Sequence, residues 1–348
     1  MSIENYVDEE YIDWTLVRTF IRTNLSNIPD EEIYVKKFSE GYSNMTYQLA
    51  IGNWEGVLRR PPFGEIPPKA HDMEREHHLL EKVNRAFPLA PKPYLFSEGG
   101  EMMDKHFYIM EKKPGIVLDQ SIPAFYGTSE KVGPVVSDQV IQTLVDMQSV
   151  NGKQPDLQGI GKPEGYLERQ VNGWIKRLNR SKTEDINEVK ELEKWLVDHM
   201  PVSQNPTIVH NDFKLNNILF DEHEVGKVNG VIDWELSTIG DPMTDVGASV
   251  CYWGGKDDPD LGINIITDQP GFYSRREFIE SYANKSGRDL SQVDYYVAFG
   301  FYKLAGILQQ IYYRYSIGEL PDERFKNMNK SVNNLLEMAE LAKQKRLL

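Results

Sequence analysis

The sequence predicts an α+β fold of two lobes, a small β-sheet lobe followed by a mainly helical one. Three observations carry this. Short strand-type runs crowd the first 111 residues. From residue 129 onward, apolar residues recur mostly at helical spacing. Between 207 and 250 that pattern gives way to short apolar runs, each leading into an island of polar residues. The chain accordingly divides into an N-terminal lobe over 1–111 (a helix, five strands and one long helix), a hinge and crossing over 112–128, and a helical lobe over 129–348. A length of 348 residues suits two bodies with a sizeable core.

In the first lobe, Tyr11, Trp14, Leu16, Val17, Phe20, Ile21 and Leu25 space an amphipathic helix over 8–25. IYVKKFSEGYSNMTYQLAI (33–51) alternates like a hairpin around residues 39–44, and WEGVLRR (54–60) reads as the next strand. Strand alternation sends Arg59 and Arg60 to opposite faces. PPFGEIPP (61–68) is a loop by its prolines and glycine. The helix over 71–87 puts Met73, His77, Leu80 and Val83 near one face. Tyr94–Ser97 and Phe107–Glu111 complete the strands, and Pro114, Gly115, Pro123 and Gly127 mark the crossing.

The second lobe opens with a helix at 130–150, with Val140, Leu144 and Met147 facing the core, then helices at 164–180 and 184–200. Ile208-Val209, Ile218–Phe220 and Val228–Ile232 read as short buried strands. Residues 252–272, rich in Gly, Asp and Pro, read as an irregular loop, and helices at 274–287, 291–317 and 322–346 close the lobe.

Composition narrows the function. Hydrophobic content of 40% and charged content of 26% are those of an ordinary globular chain. The net charge of −14 argues against a general nucleic-acid binder and against an anionic membrane surface. It is compatible with a cationic substrate without demanding one. The single cysteine, Cys251, forbids an intramolecular disulfide and fits a reducing cytoplasm. The start, MSIENYVDEE, lacks the basic-then-apolar order of a signal peptide. The most apolar window, Tyr295–Tyr315, is broken by Lys303, Gln309, Gln310 and Arg314, so no membrane span is expected.

The two islands carry the chemistry. The first is His210-Asn211-Asp212, followed by Lys214, Asn216 and Asn217; the second is Asp233-Trp234-Glu235, with Asp241 and Asp245 beyond. Phosphoryl transfer from a Mg²⁺-nucleotide needs a carboxylate to orient the attacking hydroxyl and oxygen ligands to hold a hard cation against the phosphates. Asp212 fits the first task, and Asn217 and Asp233 the second. H-x-D-x-x-x-x-N followed by a strand ending in Asp has the order of a kinase catalytic loop and its metal-binding Asp. Alone, each island would be an unremarkable polar loop; it is their pairing, in order and on strand ends, that points to catalysis.

HNDFKLNNILF followed by VIDWELSTIGDPMTDVG resembles the aminoglycoside phosphotransferase-like kinases (the aminoglycoside and choline kinase group), and within them the branch related to kinase-like domains fused to acyl-CoA dehydrogenases. The resemblance runs from about Val35 to the end and is strongest over 207–250 and 299–318. It implies a protein-kinase-like fold with ATP between the lobes, Mg²⁺ as cofactor and a small-molecule hydroxyl as acceptor. The family's G-x-S-N-x-T phosphate loop is matched by Gly41, Ser43, Asn44 and Thr46, a stretch that read by itself is an ordinary hairpin turn. Arg59 stands where kinases carry a phosphate-contacting Lys, a departure, since a guanidinium is a planar fork and not a point charge. Glu76 lies where the family places the partner of that Lys, with Glu74 as its rival. Met110, Glu111 and Lys112 fall at the hinge that reads the adenine edge. Lys214 would neutralise charge on the transferred group, and His210 would orient the loop backbone. Asp241 has two readings, a metal contact or a bond to the catalytic loop, with structural roles favoured for it and for Asp245. Tyr252, Trp253, Tyr302, Gln309, Tyr312, Tyr313 and Arg314 are acceptor-side candidates, or simply core.

The acceptor implied ranges from aminoglycosides to a hydroxyacyl-CoA or another metabolic alcohol. A protein kinase is disfavoured because IDWELS passes to GDPMTDVG without a long activation segment or an A-P-E motif. A nucleotide-binding pseudokinase acting as a binding module is the alternative from another class. A metal-dependent hydrolase on His210, Asp212 and Asp233 lacks the further His ligands such sites recruit.

Overall fold

The computed structural model describes residues 12–38, 44–64, 71–183, 186 and 189–348. They fall into two compact units, one made of the described residues up to Pro114 with Gly230–Glu235, the other of those from Gly115 to Asn229 with Leu236–Leu348.

The first unit is built on a five-stranded antiparallel sheet of order β1-β2-β3-β5-β4. Its strands are β1 (Ile33–Lys37), β2 (Met45–Ile51), β3 (Trp54–Arg60), β4 (Pro93–Ser97) and β5 (Phe107–Glu111). Helix α1 (Trp14–Asn24) starts where the Asp13 carboxylate accepts the N–H groups of Thr15 and Leu16. Its Val17 and Ile21 join Leu49, Ile51, Leu58, Phe107 and Ile109 in an apolar core. The sequence places this helix over 8–25; residues 8–11 lie outside those described.

Helix α2 (Met73–Ala86) is capped by Asp72 and buries Met73, Glu76, His77, Leu79, Leu80 and Val83. The inward stripe therefore includes a carboxylate, which decides the chemistry below. The segment 230–235 docks in the same unit: Val231 N–H donates to Leu89 O. Trp234, almost fully buried, packs against Phe87 and donates its indole N–H to Val231 O.

The second unit is mainly helical, with α3 (Ser129–Ser149), α4 (Tyr166–Arg180), α5 (Lys190–Asp198), α6 (Met243–Cys251), α7 (Arg275–Ser286), α8 (Val293–Ser316) and α9 (Met328–Lys343). Two short ladders flank the polar islands. β6 (Thr207–Val209) pairs antiparallel with β9 (Thr238–Gly240), and β7 (Ile218–Phe220) pairs with β8 (Val228–Val231). β9 and α6 are elements the sequence reading did not place. The last helix begins at Met328, not 322, because residues 323–325 form a separate 3₁₀ turn. α6 and α8 cross closely: a Cβ on Gly247 would stand 2.2 Å from the Tyr296 carbonyl oxygen, and one on Gly300 2.8 Å from that of Gly247. Only residues without a Cβ permit that approach.

Candidate active site

Each unit carries its own constellation. In the second unit β6 delivers the chain to His210-Asn211-Asp212, and the turn is made at Asn211, whose φ of 66° is left-handed. Such a conformation costs a non-glycine residue about 1–3 kcal/mol unless its surroundings over-determine it; asparagine is among the residues that tolerate it. Here all four polar groups of Asn211 are bonded. Its N–H donates to Asp245 Oδ1 (2.8 Å), its carbonyl accepts from Lys303 Nζ (2.6 Å), its side-chain oxygen accepts from the Tyr166 hydroxyl (2.7 Å), and its side-chain amide donates to Leu236 O (2.9 Å). Asp245 also accepts the His210 N–H at 2.6 Å. Burial pushes the Asp245 carboxyl up to about 6, and the two amide donors work against it.

Beyond this turn the Asp212 carboxylate lies 3.0 Å from Lys214 Nζ. The Asn217 side-chain amide donates to Asp212 twice, to the carbonyl at 2.8 Å and to Oδ2 at 3.0 Å. Lys214 Nζ sits 5.1 Å from the ring centroid of Tyr252. His210 is fully buried, its Nδ1 accepts the Asp212 N–H at 3.3 Å, and its ring edges against Phe213. The imidazole thus braces the loop backbone. Asp241 is equally buried and bonds the Tyr296 hydroxyl and the Met243 N–H, which makes it structural.

In the first unit Arg59 is the hub. It lies opposite Thr46 and Tyr108 in the sheet register. One guanidinium nitrogen meets Glu76 Oε1 at 2.7 Å; the other meets Asp233 Oδ1 at 3.1 Å and Glu235 Oε2 at 2.7 Å. Burial alone would lower the guanidinium; the carboxylates of Glu76, Asp233 and Glu235 outweigh it and hold the positive charge. Burial pushes the Glu76 carboxyl up, opposed by Arg59 and by the Tyr108 hydroxyl, which donates to the same oxygen at 2.8 Å. Beside a guanidinium that does not deprotonate, the pair is read as ionised. Glu74, the rival partner, points outward and is exposed.

Asn44 donates to Glu235 Oε2 at 2.7 Å, and its side-chain oxygen meets His71 Nδ1 at 2.7 Å. Gly41 and Ser43 lie outside the described residues. Arg60, on the opposite face, is fully buried, pairs with Asp104 at 2.7 Å and stacks on Phe63. Met110 and Glu111 end β5, the Glu111 N–H is committed to Lys92 O, and Lys112 reaches Glu55 at 2.7 Å.

Several acceptor-side candidates turn out to be packing residues. Trp253 is buried against Phe278 with its indole N–H on Tyr273 O. Tyr302 is buried with its hydroxyl on Glu193, and Gln309 is buried on Ser181 O. Tyr312 is also buried, whereas Tyr313 and Arg314 are exposed at the end of α8. Tyr252, beside Lys214, is the candidate that lies by the 210–217 loop. Sequence reasoning missed Tyr108, Tyr166 and Lys303 as parts of these constellations and gave Glu235, named in the second island, no role of its own. Lys303 had a signal, a charge set in the otherwise apolar middle of a long helix.

A divalent cation can be tested against the donor chemistry. Asp233 offers a carboxylate that is one-third exposed (36% of the side chain) and sits at φ 68°. Asn217 has its amide nitrogen engaged by Asp212, which leaves the oxygen as the donor. Taken separately, each is a donor of the type that a hard cation such as Mg²⁺ accepts.

A profile of the phosphotransferase enzyme family matches residues 35–278. The chain belongs to that family. This phosphotransferase-family chain is also 31% identical over 331 residues to acyl-CoA dehydrogenase family member 11 of Homo sapiens, covering 92% of the chain and 42% of the relative. Family member 10 of Mus musculus is 32% identical over 310 residues, covering 87% and 28%. The chain thus spans less than half the length of these curated relatives.

Among solved structures, a Ralstonia eutropha JMP134 protein assigned as an aminoglycoside phosphotransferase superposes with a TM-score of 0.80 at 28% identity, covering 95% of this chain and 98% of that one. Choline kinase from Cryptosporidium parvum gives 0.65 at 16% identity, covering 96% and 98%. A mutant of aminoglycoside phosphotransferase APH(4)-Ia, crystallised with AMP-PNP and hygromycin B, gives 0.59 at 16%, covering 94% and 98%. The last two likenesses establish the protein-kinase-like fold. Among the described residues no helix is long and apolar enough to cross a membrane.

Proposed function

We propose that this chain transfers the terminal phosphoryl group of Mg-ATP to the hydroxyl of a small molecule. The observation that carries the reading is Asp212: a carboxylate on a turn pinned at every polar group of Asn211, held by Lys214 at 3.0 Å and by Asn217. In this reading Asp212 accepts the proton of the acceptor hydroxyl as its oxygen bonds to phosphorus and the bond to the ADP oxygen breaks. Lys214 offsets negative charge on the group in transfer. Asn217 and Asp233 are assigned as ligands of Mg²⁺, which when bound supplies charge neutralisation at the phosphates. Arg59, kept charged and oriented by Glu76, grips phosphate with Asn44, Thr46 and the 41–46 loop.

For the acceptor, the relatives named for acyl-CoA dehydrogenases favour a hydroxyacyl-CoA or another metabolic alcohol over an antibiotic. The fold neighbours named for choline and aminoglycosides keep cationic alcohols on the panel. The lone, buried Cys251 fits work in a reducing cytoplasm.

The test is product mass after incubation with Mg-ATP and a panel of hydroxyacyl-CoAs, choline, simple sugars and aminoglycosides. Asp212→Asn is expected to lower transfer by about 10³-fold, within the range for a general base, while calorimetry shows nucleotide binding retained. Near-normal turnover in Asp212→Asn would remove the role assignment. Nucleotide binding with no transfer by the wild type would favour a pseudokinase.

A further inference from the structure

We propose that Lys303 is a positioning residue for phosphoryl transfer: its ammonium holds the carbonyl of Asn211 and so sets the left-handed turn that presents Asp212. The inference rests on the reading of Asp212 as the proton acceptor.

Lys303 projects from the middle of α8, ninety-two residues beyond Asn211, and reaches its carbonyl at 2.6 Å. Residues on either side of it in α8 (Phe301, Tyr302, Leu304, Ala305) are core. A charge in such a helix is costly unless paired or hydrogen-bonded. Lys303 is half-buried, with its ammonium 5.8 Å from the ring centroid of Trp174 on α4. Burial pushes that ammonium down, while Asp212 and Asp245 hold it up and Lys214 opposes them. The cation thus stands within the field of both carboxylates of the loop.

The other three bonds to Asn211 come from a carboxylate, a phenol and a backbone carbonyl. Lys303 is therefore the cationic member of the set that fixes this turn. Asp245 holds the N–H of Asn211, and Lys303 holds its C=O. The two groups belong to the peptide planes before and after Asn211, so holding both fixes its φ and ψ, and the orientation of Asp212, the next residue, follows. Without the ammonium the carbonyl would lose its charged donor, and Asp245 and Asp212 would lose their shared counter-charge. A lysine kept only to fill space would need neither the charge nor its direction.

Lys303→Met keeps the aliphatic stem and removes the charge; Lys303→Arg keeps the charge on a larger planar fork. For Lys303→Met we expect kcat about 10²-fold lower with KM for Mg-ATP within about twofold, an interaction acting at the transition state and not on nucleotide binding. Amide hydrogen exchange should accelerate in the peptide covering 207–217 and stay unchanged in α8. In Lys303→Ala, millimolar ethylamine or propylamine should restore part of kcat. If Lys303→Met does not fold, Lys303→Arg decides, with a kcat loss of about tenfold at unchanged thermal midpoint. A kcat within threefold of wild type in both variants, or losses that follow thermal stability with no local change in exchange, would overturn the proposal. Should the wild type transfer phosphate to no acceptor, the functional reading fails first. The exchange comparison then still decides whether Lys303 holds the loop, and an unchanged 207–217 peptide sinks it.

Discussion

Asn211 and Asp233 share a backbone conformation, with φ of 66° and 68°, yet opposite means hold them there. Asn211 is buried, and its amide, carbonyl and side chain are bonded to groups from α4, α6, α8 and residue 236. Asp233 keeps a third of its side chain exposed, and an ion pair with Arg59 engages its carboxylate. The first turn is held mostly by directed hydrogen bonds that no substrate replaces. The second is held in part by a cation that incoming phosphates also attract. The loop proposed to present a base is thus built rigid, while the one proposed to hold a metal is left able to exchange partners.

That contrast can be broken by substitution. The largest effect is expected at Asp233: Asp233→Ala should lower metal-dependent transfer by about 10³-fold or more. The thermal midpoint should fall by only a few degrees, because the side chain is partly exposed although alanine sits less well than aspartate at φ 68°. A variant retaining a tenth of the activity would remove Asp233 from the metal set.

Next comes Asn211→Ala, which loses the bonds to Tyr166 and Leu236 while keeping the strained backbone. Unfolding by denaturant should show a loss of about 2–3 kcal/mol, with transfer down about 10²-fold as the base is misplaced. Asn211→Gly relieves the strain but not the lost bonds and should recover only part of both. Full recovery with glycine would mean that conformation alone, and not the bonding, sets this turn.

The smallest effect is a pH dependence. The Asp245 carboxyl is pushed by burial from 3.8 up to about 6, so its ionised form is disfavoured in the folded state. Its contribution to stability is therefore greatest below pH 3.8 and declines as the pH rises to about 6. Function runs the other way, because the ionised carboxylate accepts the His210 and Asn211 amides together. Transfer should fall several-fold as the pH drops through about 6, and Asp245→Asn should be slower throughout but flat across that window. A limb that survives in Asp245→Asn would belong to another group.

How much of this could be read from the sequence depends on the kind of pattern involved. The first two strands were legible because 33–51 alternates in and out, and α2 because its apolar residues recur at helical spacing. That Arg59 pairs with Glu76 was implied only by the family resemblance; strand alternation added that Arg59 and Arg60 face opposite ways. β9 was not legible: three residues, Thr238–Gly240, are too few to show a period. α6 was hidden for another reason, since every one of its residues is buried and it follows Gly-Asp-Pro, so it has neither an amphipathic face nor a familiar start. The bonding of Asn211 needed the tertiary structure, because its partners lie 25 to 92 residues away. The acceptor-side aromatics show the converse error: Trp253 and Tyr302 look like pocket residues by type, but each satisfies its polar atom inside the core.

The closeness of α6 and α8 has a practical consequence. Cys251 is the sole cysteine of the chain and lies buried at that crossing, its thiol directed to the Gly247 carbonyl at 3.1 Å and pushed up by burial. A thiol-reactive dye should therefore find nothing to modify until the two helices part, and its rate of uptake times their separation. The same shielding means that a cysteine placed on the surface would be tagged alone, so the wild-type background already suits single-site fluorescence work.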